Sequence, residues 1–266
     1  MSDFPALIVE TNHIEPSPRR VRGLVNNAVI FDTTRALYVW EWPAYPQYYI
    51  PLADTDGRYL VDENRTHGSR RGTAHSFGLR VGDVDRPGVA RLYGADALTG
   101  LDGMVRFDFG ALDKWFEEDE EIFVHPRSPY SHIDAVRSSR LVHVELDGAV
   151  LAESSSTVMV FETGLPTRYY FDQTAVNFAF LKPSKTETAC PYKGRTTGYW
   201  TAVIDGTEYP DVAWTYSFPT RNLEPIAGLV AFYNEKVDTF VDGVPLERPV
   251  TVFSDRRSTS SEHDAA

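Results

Sequence analysis

The chain has 266 residues, 42% of them apolar and 13% aromatic, which is enough to build ordinary cores in about two domains. Its net charge of −12 is evenly spread, with 14 basic and 20 acidic residues up to Ile133 and 12 and 18 beyond it, so neither half offers the basic surface that nucleic-acid binding needs. The single cysteine, Cys190, excludes an internal disulfide and the multi-cysteine zinc sites of small β domains, and with no leader-like segment and no apolar run near ~20 residues the expectation is a cytoplasmic protein that does not engage a membrane.

In chain order, residues 1–18 carry Pro16 and Pro18 in a charged span and predict an extended arm without a helix. From Arg19 onward, runs rich in Val, Tyr, Phe and Trp are separated by turn residues about every 8 to 12 positions, the pattern of an all-β domain; AVIFD, ALYVWE, YYIP and GRYLVD come first. The acidic run at 117–121, EEDEE, reads as a solvated loop or helix end. Residues 127–139, whose Pro, Ser and Asp suit a linker, read as one, and 253–266 as a disordered tail.

An internal comparison sets the architecture. Shifted by 121 positions, residues 19–51 lie over 140–172 without a gap, with eight identities in 33 positions: Arg19, Val21, Ala28, Val29, Val39, Glu41, Tyr48 and Tyr49 recur as Arg140, Val142, Ala149, Val150, Val160, Glu162, Tyr169 and Tyr170. One extra residue then restores Thr66, Gly72 and Val81 over Thr188, Gly194 and Val203, and further insertions bring PGVARLY over PDVAWTY and GMVRF over GLVAF. The chain is read as a tandem duplication, with a first domain at 19–126 and a second at 140–252.

The copies differ where chemistry would sit. The second has Cys190, Pro191, Tyr192, Lys193 and Gly194, a tight turn that brings the first and fourth side chains together. A lysine beside a thiol favours the nucleophilic thiolate. The first copy has Gly68, Ser69, Arg70, Arg71 and Gly72 there: the glycine and a positive charge are kept, while the thiol and the lysine are not. Glu41 and Glu162 each end an alternating apolar row, at a sheet rim or in a cavity where burial would tune a carboxylate toward acid–base work; pairing with Arg19 or Arg140 explains their recurrence equally well. Tyr169 and Tyr170 must face opposite ways, and Val212, Trp214 and Tyr216 share a face that either packs as core or stacks a flat ligand. Gly68, Ser69, Asp83 and Asp85 imitate nucleotidyltransferase spacing, but strand replaces the required helix. His67 and His75 lack a third ligand, so no metal and no cofactor is expected.

The second copy, with Arg140, VMVFE ending at Glu162, YY ending at Tyr170, Thr188, CPYKG, GYW, VAWTY and IAGLVAFY in that order, resembles the family filed as domain of unknown function 427, and the first copy resembles a diverged member. The resemblance implies a mainly β protein of two tandem small antiparallel domains similar to the β-tent architecture, packed as a pseudo-dimer, with no assured activity. Matched residue by residue, the strongest motif positions are Glu162, Tyr170, Cys190, Lys193, Gly194, Trp200, Trp214 and Tyr216. Two functional readings follow. In one, the second domain binds a small, nucleoside-like or anionic ligand through Arg140, Tyr170, Tyr192, Gly194, Trp200, Trp214 and Tyr216. In the other, Cys190, Lys193 and Glu162 are catalytic in a transferase, nucleotidyltransferase-like or hydrolase reaction. A scaffold without ligand is a third. A small-molecule partner and no nucleic acid are expected, and the duplication is compatible with a monomer.

Overall fold

The computed structural model describes residues 4–254. The chain divides into two compact units, Leu7–Tyr130 and Ser131–Ala266 together with Met1–Ala6. The first unit holds β1 (Ile14–Pro16), β2 (Val21–Val25), β3 (Ala28–Thr33), β4 (Leu37–Val39), β5 (Gln47–Pro51), β6 (Leu60–Ser69), β7 (Gly72–Val81), β8 (Val84–Tyr93), β9 (Met104–Phe107), β10 (Lys114–Glu117) and β11 (Glu120–Ile122). The second holds β12 (Ile133–Ser138), β13 (Val142–Leu146), β14 (Ala149–Ser154), β15 (Thr157–Glu162), β16 (Arg168–Phe171), β17 (Leu181–Ser184), β18 (Ala189–Cys190), β19 (Gly194–Arg195), β20 (Gly198–Ile204), β21 (Thr207–Thr215), β22 (Val230–Phe232), β23 (Asp238–Val241) and β24 (Val244–Pro245).

The two units repeat one topology. A seven-stranded antiparallel sheet runs β1-β4-β5-β9-β8-β7-β6 in the first and β12-β15-β16-β22-β21-β20-β17 in the second; four-stranded sheets run β11-β10-β2-β3 and β14-β13-β23-β24. Alternation puts Val142, Val144 and Val241 of the small sheet against Met159, Phe171, Val230 and Phe232 of the large one, and Val21, Phe31 and Trp115 against Ile50, Val105 and Phe107 in the first unit. Tyr169 joins this core while Tyr170 faces away, into a second apolar layer with Val158, Val160, Tyr199, Trp214, Tyr216, Leu223 and Ile226. Val212, read on the face of Trp214, belongs instead to the inter-sheet core.

Several boundaries differ from the sequence reading. The arm at 1–18 contains β1, which pairs Ile14 with Val39, and the linker at 127–139 contains β12, which pairs Ala135 with Val160. The 121-residue offset therefore extends back through both edge strands. Their turn-like, charged composition hid them, because such residues suit a sheet edge as well as a linker. The ladder sets Val81 against Val84 and Ile204 against Thr207, so Val81 corresponds to Ile204 rather than Val203. Glu117, the first residue of EEDEE, is 2% exposed at the end of β10. It accepts hydrogen bonds from Tyr48 Oη at 2.7 Å and Arg127 Nε at 3.0 Å and pairs with Arg19, which spend the carboxylate's charge inside the protein. The proposed tail begins inside the described residues, with Phe253 beside Tyr233 at 5.7 Å between ring centres; residues 255–266 lie outside them.

Candidate functional site

The CPYKG stretch is a hairpin: β18 pairs with β19, Ala189 opposite Arg195 and Cys190 opposite Gly194. Gly194 has φ +96°, a conformation in which a Cβ is strained. The same need exists at Gly72, with φ +113°, which is why the glycine is common to both copies. The first copy's turn is one residue shorter, and its ladder puts Ser69, not Gly68, opposite the glycine. A hydroxyl thus stands where the second copy has a thiol. The hairpin is held by the loop after β21, where Thr220 donates from its amide to the Lys193 carbonyl at 3.1 Å and from its hydroxyl to the Tyr192 carbonyl.

This anchoring aims Lys193 inward. Its Nζ pairs with the Glu162 carboxylate at the end of β15, with side chains only 9% and 10% exposed, and lies 4.0 Å from Cys190 Sγ. Burial alone would drive the ammonium toward the neutral amine, but the acidic groups of Cys190 and Glu162 outweigh it and hold the Lys193 pKa above the ordinary lysine value. The opposite holds for the half-buried Cys190: burial raises the thiol's pKa, and Lys193 offsets this only in part. Burial thus works against the thiolate that a neighbouring lysine favours. The lysine is already matched by Glu162, so the cluster is a Lys193–Glu162 ion pair touching the sulfur of Cys190.

Around it, a row runs across the sheet through cross-strand neighbours Tyr170, Ala231, Trp214 and Tyr199. The small Ala231 lets Trp214 Nε1 reach over and donate to Tyr170 Oη at 3.3 Å, ring against edge at 90°. Burial pushes the Tyr170 hydroxyl up to about 12, and that of Tyr216 well above its ordinary value, so both remain protonated. Tyr199 Oη lies 3.0 Å from both Thr188 Oγ1 and Tyr233 Oη, a hydroxyl chain from the hairpin toward β22.

The structure thus brings together Glu162, Tyr170, Cys190, Lys193, Trp214 and Tyr216 of the sequence candidates, with Tyr192 and Gly194 shaping the turn. It does not bring Trp200 or Arg140. Trp200 follows Tyr199 in the same strand and points to the other face, against Phe178 at 5.6 Å. Arg140 forms a surface pair with Asp242 at 2.7 Å, and Arg19 serves Glu117, so neither partners the recurrent glutamates. Asp85 pairs with Arg80 on the exposed β7–β8 hairpin, with strand where a transferase would need helix. Among the described residues no group of three or more His, Cys, Asp or Glu is placed to hold a metal ion.

Sequence reasoning missed Arg168 and Glu235. Their side chains are 6% and 0% exposed, paired through two hydrogen bonds at 2.6 and 2.7 Å, with the guanidinium 5.8 Å from the Trp214 ring centre and 5.6 Å from that of Tyr233. The available signal was a lone charge beside YYF in a strand buried on both faces. Glu162 also contributes to the wall of a surface cleft of about 170 Å³, with Phe4, Pro5, His132, Phe161 and Leu165 among its lining, and the Gly164 amide donates to the Pro5 carbonyl at 2.9 Å.

A family model described as Domain of unknown function (DUF427) matches the chain twice, over residues 13–118 and 134–243. These limits take in β1 and all but the first residue of β12. No curated protein matches the chain. No helix among the described residues is long and apolar enough to cross a membrane.

Proposed function

The chain belongs, through both of its halves, to the family of the domain of unknown function DUF427, and from that premise we propose that its second copy binds a small polar molecule at the Glu162–Lys193–Cys190 cluster, with the thiol as a neutral contact. The observation that carries the reading is the buried ion pair in contact with a sulfur, delivered by a turn that only glycine closes comfortably. A sheet of this kind does not need such a pair for stability, since well-packed apolar residues serve as well or better. Buried charge and hydroxyls gathered at one end of an aromatic row are the usual makings of a small-molecule site. A cleft of about 170 Å³ shares Glu162 with the cluster, while its other walls, Phe4, Pro5, His132 and Phe161 among them, lie outside it.

Catalysis by Cys190, Lys193 and Glu162 asks for a thiolate and for a lysine or carboxylate free to move a proton. Here each group is occupied by the others, which favours binding over turnover.

The test is a thermal-shift screen of nucleosides, small carboxylic acids and small amines, scored a second time by protection of Cys190 from alkylation. A ligand at this site raises Tm and slows alkylation; Lys193→Met removes both effects, and Cys190→Ser retains binding with a modest change in affinity. Hits that stabilise the protein but leave the Cys190 rate unchanged in every case would place binding elsewhere and end this reading.

A further inference from the structure

The first copy carries charge where the second carries apolar groups. In place of Tyr170, Ala231, Trp214 and Tyr199, its cross-strand row reads Tyr49, Arg106, Arg91 and Ser76. Two guanidiniums therefore stand side by side on neighbouring strands, and Arg71, from the turn that corresponds to CPYKG, joins them. Like charges directly across a ladder repel. The packing of the sheet gains nothing from the arrangement, because the apolar version of the same row exists in the same chain.

The counter-charges do not cancel the guanidiniums. Arg106 donates to Glu41 at 3.2 and 3.4 Å and pairs with Asp108, and Arg91 pairs with Asp108 at 3.1 Å. Arg71 donates from Nη1 to Asn12 Oδ1 at 3.3 Å, its Nη2 is 3.9 Å from Glu41, beyond a hydrogen bond, and its Nε is buried without a hydrogen-bond partner among the described residues. Three positive side chains meet two negative ones, leaving one positive charge over. With Arg91 29%, Arg71 17% and Arg106 14% exposed, the group is reachable from solvent.

Guanidinium forks match the two-oxygen geometry of carboxylate and phosphate. We propose that the first copy is a separate binding site for a small molecule bearing an oxyanion, a carboxylate or phosphate group received by Arg71, Arg91 and Arg106. Glu41 and Asp108 act as spacers that hold the forks apart and aimed, and Tyr49, whose hydroxyl donates to Glu41 at 2.9 Å, braces the inner carboxylate. The site stands independently of the second copy's, and the two differ in charge: one carries an excess cation and the other is neutral.

The experiment titrates inorganic phosphate, and separately acetate, into the full chain while following the arginine Nε–Hε resonances. Saturable shifts at Arg91 and Arg106 are expected, and the anion that binds more tightly identifies the class. Arg91→Trp, which copies the second domain, weakens binding about tenfold or more, and the gentler Arg91→Gln does so with the rest of the spectrum unchanged. The proposal is overturned by the absence of saturation with both anions, by equal shifts at the exposed Arg58 and Arg65, or by wild-type affinity in both Arg91 variants.

Discussion

Lys193 and Glu162, 31 positions apart in the chain, meet as a buried ion pair on the outer face of the second copy's large sheet. Each partner is what makes the other tolerable there. Removing one leaves an uncompensated charge in a poorly solvated place, whereas removing both leaves only a packing problem.

Lys193→Met should therefore destabilise the protein by about 3 kcal/mol. The double variant Lys193→Met, Glu162→Leu should recover most of that loss. Equilibrium denaturation in urea checks both, and additive losses would contradict the pairing.

The Arg168–Glu235 pair predicts an acid limb. Burial by itself would raise the Glu235 pKa, but the two hydrogen bonds and the charge of Arg168 outweigh it and hold it below the ordinary 4.5. A carboxylate with a depressed folded-state pKa contributes stability above its unfolded value and loses it as the pH falls through the folded one. Tm should thus drop as the pH falls below about 4.5, and Glu235→Gln should flatten that limb while lowering Tm at pH 7. An unchanged acid limb in the variant would show that other carboxylates carry it.

The two turn glycines are not equivalent in space. A Cβ at Gly72 would lie 2.5 Å from Ala97 Cα, whereas one at Gly194 would have its nearest neighbour, the Phe218 carbonyl oxygen, at 3.5 Å. Gly194→Ala should cost about 1 kcal/mol from its positive φ alone, and Gly72→Ala clearly more. Thermal denaturation of the two variants ranks them, and the reverse order would contradict the turn geometry.

The duplication, the all-β class and the hairpin that joins Cys190 to Lys193 were legible in the sequence because each rests on local rules: alternation, turn chemistry and an ungapped repeat. The edge strands were not, since Pro16, Ser138 and the charges around them are as typical of linkers as of edges. Glu117 and Arg168 were illegible for a different reason. Their roles depend on partners 98 and 67 positions away, Arg19 and Glu235, and no local pattern announces a charge that will be neutralised at such a distance. For Cys190, proximity to a lysine was visible in the sequence and burial, which opposes a thiolate, was not. Nor could spacing alone show that Trp200 turns away from the site while its neighbour Tyr199 lines it.

The account turns on Cys190 being a neutral thiol beside a satisfied ion pair. With one cysteine in the chain, the pH dependence of its alkylation on the folded protein reads this directly. The rate should be low at pH 7 and should inflect above the ordinary thiol value of 9.0, with Lys193→Ala moving the inflection higher still. An inflection near or below about pH 7 would mean a thiolate at neutral pH, and the second copy would then have to be read as a reactive site and not as a binding one.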